Sequence, residues 1–133
     1  MPEVIRAGLD AWSRGDLQDV LEIFDPDFEF VTSGIYPGLE PVYRGHDGFR
    51  RFWTDFRAPW QDIAIGVDRI VGGRPQLFAV VGRFIATGRD GIPVERPVGM
   101  VFTTRAGQIA RIQGFGSAEE ALAGAGVRSA EQA

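Results

Sequence analysis

The stretch GRFIATGRDGIPVERPVGMVF, residues 82–102, decides how this chain folds. It contains two strand-like segments around Asp90-Gly91, a pair that is typical of the two-residue turn of a β-hairpin. With such a turn the pairing propagates outward from the loop, so that Phe84 opposes Pro97. The stretch therefore predicts an antiparallel hairpin whose register follows from the length of its loop.

Alternation along this hairpin predicts two faces that both carry large apolar side chains. One face, turned toward a pocket, carries Phe84, Glu95 and Val101. The opposite face carries three apolar residues: Val98, Met100 and Phe102. Because helices can cover only one of the two faces, we predict a homodimer formed through the face with Met100.

Upstream of the hairpin, apolar residues recur at helical spacing in three segments. The first segment ends at Gly15, and the second, capped by Asp16, runs through Phe24 until Asp25-Pro26-Asp27 ends it. The third begins at about His46 and ends before Pro59. These patterns predict three N-terminal helices.

The remaining segments have the character of strands, loops and one last helix. A short alternating strand is expected at 28–32, a Pro/Gly-rich loop at 33–44, and four strands between 63 and 115. Ser117 has the capping-box spacing that opens a short final helix. The order α-α-β-α-β-β-β-β-α predicts an α+β fold, with the three helices packed on a curved antiparallel sheet around a central pocket. We expect one domain over 1–126 and a disordered tail at 127–133.

Composition excludes several classes of function. The chain has 133 residues, a net charge of −4, no cysteine, and arginine as its only basic residue apart from one histidine. An acidic protein lacks the basic face that nucleic acids require, and without lysine there is no Schiff-base chemistry. No apolar run is long enough for a membrane helix, and we expect a cytoplasmic protein with no signal peptide and no cofactor.

Five stretches of the chain carry a resemblance to a known family: AWSRGDL at 11–17, FDPDFEF at 24–30, YRGHDG at 43–48, GQI at 107–109 and AEEAL at 118–122. In their order and spacing they resemble the SnoaL-like branch of the nuclear transport factor 2-like superfamily. The resemblance implies a cone-shaped α+β barrel with a deep pocket between sheet and helices, and usually a dimer. The superfamily contains isomerases, cyclases, hydrolases and non-catalytic binders, so the resemblance leaves function open.

Catalytic residues known from this superfamily do not carry over to this sequence. The four polar positions of the ketosteroid isomerase pattern correspond here to Gly8, Thr32, Trp53 and Gly99. The aspartate that cyclase-like members carry after the last strand corresponds to Ser117. Isomerase chemistry of that kind needs an acid and a base that face each other, and both are missing.

Six residues are our candidates for contact with an apolar ligand. We expect four of them to line the pocket and two tyrosines to cover its mouth: Trp12, Trp53, Phe84 and Val101, then Tyr36 and Tyr43. The alternative is that these aromatic rings simply fill a core. Glycines expected at pocket-facing positions favour a cavity, because they leave empty volume there: Gly8, Gly82, Gly99 and Gly114.

Two residues are candidates for acid–base work. Glu95 is the one carboxylate on the pocket face in our register, although its place near the hairpin end would also let it reach water. His46, the only histidine, either acts near neutral pH or simply hydrogen-bonds at a helix start, and a zinc site is not expected around it.

We therefore predict a protein that binds an apolar, ring-containing small molecule without strong catalysis. The alternative is a cyclase, isomerase or hydrolase that uses Glu95 or His46, with help from Tyr43. A purely structural dimer with a collapsed pocket is the third possibility.

Overall fold

Two short helices open the chain as the sequence predicted. The computed structural model describes residues 2–32 and 39–127, and in it α1 spans Pro2–Arg14 and α2 spans Leu17–Glu22. Gly15 separates them in the left-handed conformation, at φ +78°. The Asp16 carboxylate caps α2 by accepting a hydrogen bond of 3.1 Å from the backbone N–H of Asp19.

The first strand begins earlier than the sequence pattern indicated. Strand β1 spans Phe24–Val31, so Phe24 belongs to the sheet and not to α2. Phe24 pairs with Ile109 of the last strand, and its ring stacks on that of Phe28 at 4.0 Å. Strand pairing and ring packing outweigh the local helical spacing here, a common override of local propensity.

The other elements follow with one addition to the predicted order. Their bounds are β2 Val42–Arg44, α3 Gly45–Arg57, β3 Trp60–Gly72, β4 Leu77–Gly88, β5 Pro93–Arg105, β6 Gln108–Phe115 and α4 Ala118–Gly124. Strand β2 lies within the segment we expected to be a loop, and its three residues are too few to show a period. Ser117 caps α4 as predicted, with its hydroxyl accepting a 3.1 Å hydrogen bond from the N–H of Glu120.

The six strands form one open sheet in the order β2-β1-β6-β5-β4-β3. Pairing is antiparallel except between β1 and β6, which run parallel, so the sheet is mixed and does not close into a barrel. Register shifts near Asp62 and Val67 bend the long strand β3. Helices α1, α2 and α3 share the main core with what we call the inner face of the sheet, and α4 packs on the outer face. The predicted α+β architecture is confirmed.

The hairpin register differs by one residue from our prediction. Gly88 and Ile92 flank a three-residue loop in which Gly91, at φ +87°, donates a hydrogen bond to the Gly88 carbonyl. The extra loop residue shifts the pairing, so that Phe84 lies opposite Arg96 and not Pro97. A shift of one residue moves every side chain of β5 to the other face.

This shift corrects several predictions at once. Val98, Met100 and Phe102 point inward to the helices, so the dimer surface that we assigned to them is wrong. Residues that we expected inside, Glu95, Gly99 and Val101, lie on the outer face.

The end of the described chain packs against the outer face. Val127, which we had placed in a disordered tail, is buried in the cluster formed by α4 and the outer face. Its N–H donates a 2.9 Å hydrogen bond to the carbonyl of Leu122. The rest of the predicted tail, 128–133, lies outside the described residues.

The contact between Gly99 and α4 gives a first testable prediction. A Cβ at Gly99 would lie 2.6 Å from the carbonyl oxygen of Ser117 and 2.9 Å from the Cβ of Ala121. Because that carbonyl belongs to the first turn of α4 and cannot rotate away, we expect Gly99→Ala to destabilise the protein by about 1–3 kcal/mol in urea unfolding.

Gly66→Ala provides the matched control on the same outer face. There the nearest atom to a Cβ would be the flexible Cδ1 of Ile85, at 3.3 Å, while the carbonyl oxygen of Arg83 would lie at 3.9 Å, an ordinary van der Waals distance. We expect a change within about 1 kcal/mol, because a side-chain end can yield where a backbone carbonyl cannot. Equal stability of both variants would show that α4 does not pack on Gly99.

Candidate functional site

A cavity lies between the helices and the inner face of the sheet. It leaves about 60 Å³ for the centres of water-sized molecules. Its wall consists of Gly8, Leu9, Trp12, Val20, Phe24, Phe30, Phe49, Phe52, Phe56, Ile65, Phe84, Val98, Met100, Phe102 and Ile112. None of these side chains is ionisable, so the described wall is an apolar surface with no acid or base.

The six predicted ligand contacts separate into distinct environments. Trp12 and Phe84 line the cavity. Trp53 stands behind the wall, where its ring packs edge-on against that of Trp12 at 6.5 Å. Val101 lies on the outer face against α4, because of the register shift. Tyr36 lies outside the described residues.

Tyr43 is fully buried but does not line the cavity. Its hydroxyl donates a 3.0 Å hydrogen bond to the Asp55 carboxylate and accepts one of 3.0 Å from the backbone N–H of Glu40. Burial of the ring raises the pKa of Tyr43. This tyrosine therefore joins the chain around Glu40 to α3, a structural role in the described geometry.

The two acid–base candidates lie away from the cavity wall. Glu95 is exposed on the outer face and forms a 2.8 Å ion pair with Arg83, whose pKa is raised by that hydrogen bond. His46 lies at the start of α3, with its Nε2 3.0 Å from the carbonyl oxygen of Phe24. A ring nitrogen facing a carbonyl serves as a donor, so His46 makes the helix-start contact that we gave as its structural alternative.

The positions equivalent to the isomerase and cyclase residues also provide no catalytic pair. Gly8 lines the cavity, whereas the buried hydroxyl of Thr32 donates a 2.8 Å hydrogen bond to the carbonyl of Glu40. Gly99 lies on the outer face, and Ser117 caps α4. Two more of the four glycines that we expected at pocket positions lie on the inner face. Gly82 pairs with Val98 and Gly114 pairs with Met100, and both of these partners point inward.

Arg57 supports the aromatic wall, and our sequence analysis did not single it out. Its guanidinium lies 4.4 Å from the ring centre of Trp53 and 5.1 Å from that of Trp12. It also donates a 3.0 Å hydrogen bond to the Trp12 carbonyl, near the end of α1. Partial burial lowers the pKa of Arg57. The i, i+4 spacing of Trp53 and Arg57 on one helix was the signal that could have identified this contact.

A second, open depression adjoins the cavity, and we call it the outer groove. Its volume, for the centres of water-sized molecules as before, is about 370 Å³. It is formed by Pro59, Trp60, Gly88, Arg89, Asp90, Ile92 and Val94. The Trp60 ring packs edge-on against that of Phe84 at 5.2 Å, so an aromatic pair separates the groove from the cavity.

No cluster of three His, Asp or Glu side chains suited to a metal ion occurs in 2–32 and 39–127. Among the helices described there, none is long and apolar enough to cross a lipid bilayer.

Solved structures with the same architecture are numerous. TerC, crystallised with polyporic acid, superimposes with a TM-score of 0.76 at 22% identity, covering 85% of this chain and 88% of that one. A hypothetical protein from Catenulispora acidiphila, with a ketosteroid isomerase-like fold and in complex with trimethylamine, has a TM-score of 0.75 at 16% identity, covering 96% and 95%. A putative polyketide cyclase from Xanthomonas campestris has a TM-score of 0.71 at 18% identity, covering 92% and 93%. At such identities the likeness shows the fold alone.

Sequence comparison defines the family. No curated protein matches this chain significantly. The model of the SnoaL-like domain, however, matches residues 5–112, a range that begins within α1 and ends within β6. The resemblance seen in the sequence is therefore confirmed, and the chain belongs to the SnoaL-like domain family.

Proposed function

We propose that this protein binds a small apolar molecule, with an aromatic or alicyclic ring, in the cavity of its inner face. The observation that supports the proposal is a cavity wall made wholly of apolar residues, nine of the fifteen being aromatic or sulfur-containing. A fully apolar wall offers no partner for a polar group, which would lose its hydrogen bonds to water on entry. The cavity therefore favours an apolar group, which gives up no hydrogen bonds to water when it enters.

The size of the cavity limits that occupant. The volume available to the centres of water-sized molecules is about 60 Å³ in this cavity, and one water molecule needs about 10–15 Å³ of such volume. The space therefore suits one ring or a short hydrocarbon segment, and a larger ligand requires the surrounding side chains to move. Met100 in the wall is unbranched and flexible, and can adapt to such a ligand.

A cyclase is the second candidate function. The neighbours from Xanthomonas campestris and Sinorhizobium meliloti are both putative polyketide cyclases, and the family match is compatible with such a role. In this chain the described wall could contribute to a cyclisation only by holding a flexible substrate in a folded shape, which lowers the entropic barrier. Because Glu95 and His46 lie away from the cavity, we do not extend the acid–base alternative to them.

Val98→Phe tests the cavity directly. Val98 lies half-buried on the inner face, so a phenyl ring at this position should occupy the empty volume. We expect toluene to change the intrinsic tryptophan fluorescence saturably in the unaltered protein, since Trp12 lines the cavity, and to bind Val98→Phe at least about tenfold more weakly. Thermal stability of the variant should stay equal or rise slightly, because a filled cavity gains contacts.

Ile85→Phe serves as the control, since it places a ring of the same size on the outer face of the paired strand. We expect its affinity for toluene to remain unchanged. If toluene causes no saturable change in the unaltered protein, the cavity is an ordinary packing defect and the proposed function is wrong.

We also propose that the protein is a homodimer, through the outer face and not the face we first predicted. Ile85 is 40% exposed there, in a part of the sheet that α4 does not cover. Burying Ile85 against a second copy would remove an exposed apolar side chain from water. A cytoplasmic location, which we expected from the sequence, stays a prediction.

Ile85→Glu should therefore convert dimers into monomers in analytical ultracentrifugation. The control is Ile92→Glu at the hairpin tip, where a side chain that is 60% exposed receives the same substitution. We expect Ile92→Glu to leave the sedimentation coefficient unchanged. A monomeric unaltered protein at tens of micromolar would refute the proposed dimer.

A further inference from the structure

We propose that the ligand carries an anionic group, a carboxylate or a comparable acid, which Arg96 binds at the mouth of the cavity. This inference rests on the proposed function, because it assigns the polar end of a molecule whose apolar end occupies the cavity. It comes from the corrected register of β5, which places an arginine on the inner face where our first register had placed proline.

The position of Arg96 follows from the alternation of β5. Val94, Arg96 and Val98 fall on the same face, about 7 Å apart along the strand. Val94 belongs to the outer groove and Val98 to the cavity, so Arg96 lies between the two. Across the strand pair it lies opposite Phe84, the ring that meets Trp60 at the division between groove and cavity.

The charge of Arg96 is not used within the described fold. Its side chain is exposed, and it forms no hydrogen bond or ion pair with residues 2–32 or 39–127. Two other arginines of the hairpin, in contrast, have partners within the protein. Arg83 pairs with Glu95 at 2.8 Å and Asp68 at 3.7 Å, and Arg89 donates a 2.8 Å hydrogen bond to the carbonyl of Ala58.

One acidic side chain, that of Asp90, borders the groove. The Asp90 carboxylate accepts a 3.0 Å hydrogen bond from the backbone N–H of Ile92, within the hairpin loop. Arg89 also lines the groove, and Arg96 lies on the strand between groove and cavity, so these three charges sum to +1 although the protein as a whole carries −4. A planar guanidinium beside an apolar cavity suits an amphipathic ligand whose ring enters the cavity and whose carboxylate stays at the rim.

A pair of probes that differ only in charge tests this assignment. The acid 4-phenylbutanoate and the alcohol 4-phenylbutan-1-ol carry the same phenyl ring, and their dissociation constants can be measured by isothermal titration calorimetry. We expect Arg96→Gln to weaken binding of the acid about fivefold and to leave binding of the alcohol within about twofold. Arg6→Gln removes the same charge from the exposed side of α1 and should alter neither dissociation constant by more than about twofold.

The outcomes separate this inference from the proposed function. If the alcohol binds but Arg96→Gln leaves the acid unaffected, or if Arg6→Gln weakens the acid equally, the anion site at Arg96 is wrong and the apolar cavity stands. If neither probe binds the unaltered protein, the proposed function fails and the assignment of Arg96 fails with it.

Discussion

The three-residue loop between β4 and β5 determines which side chains face the helices. Gly91 takes the left-handed conformation there, and the resulting register places Phe84 opposite Arg96. With one residue fewer in the loop, Glu95 and Pro97 would point at the helices, and the inner face would lose Val98 and Met100. The apolar cavity, the packing of α4 on Gly99 and the arginine at the rim all depend on this one register.

The aromatic rings around the cavity hold one another in place. Phe30 stacks on Phe52 at 4.3 Å, Phe52 stacks on Phe56 at 5.1 Å, and Phe56 meets Phe84 edge-on at 5.6 Å. Rings in such contacts have few alternative rotamers, so they cannot easily turn to fill the empty volume. The guanidinium of Arg57 contacts the indoles of both Trp12 and Trp53. Because these contacts restrict the rings, the cavity stays open beside a rigid wall.

Much of the fold could be predicted because its signals are local and repeated. Helical spacing, the caps at Asp16 and Ser117, and strand alternation each involve residues close together in the sequence. The sequence could not locate β2 or the start of β1, since pairing with distant strands decides both. At the site, helical spacing placed Trp12 and strand alternation placed Phe84 on the side of their elements that faces the cavity. Glu95 and Val101 were misplaced because a single loop residue, invisible to periodicity, reverses every position of a strand.

A wall without polar groups also limits what the cavity can do by itself. An apolar pocket distinguishes ligands that differ by one methylene group by only about 1–3 kcal/mol, so shape alone gives modest selectivity. At the anion site that we propose, a charged contact adds discrimination without the cost of burying a charge, because the side chain of Arg96 is exposed. In the proposed site, the apolar cavity therefore accepts ligands with different rings, and the charge at its edge favours those that carry an acidic group. The exposed position of Arg96 and the uncharged cavity wall are, in this view, two parts of one recognition site.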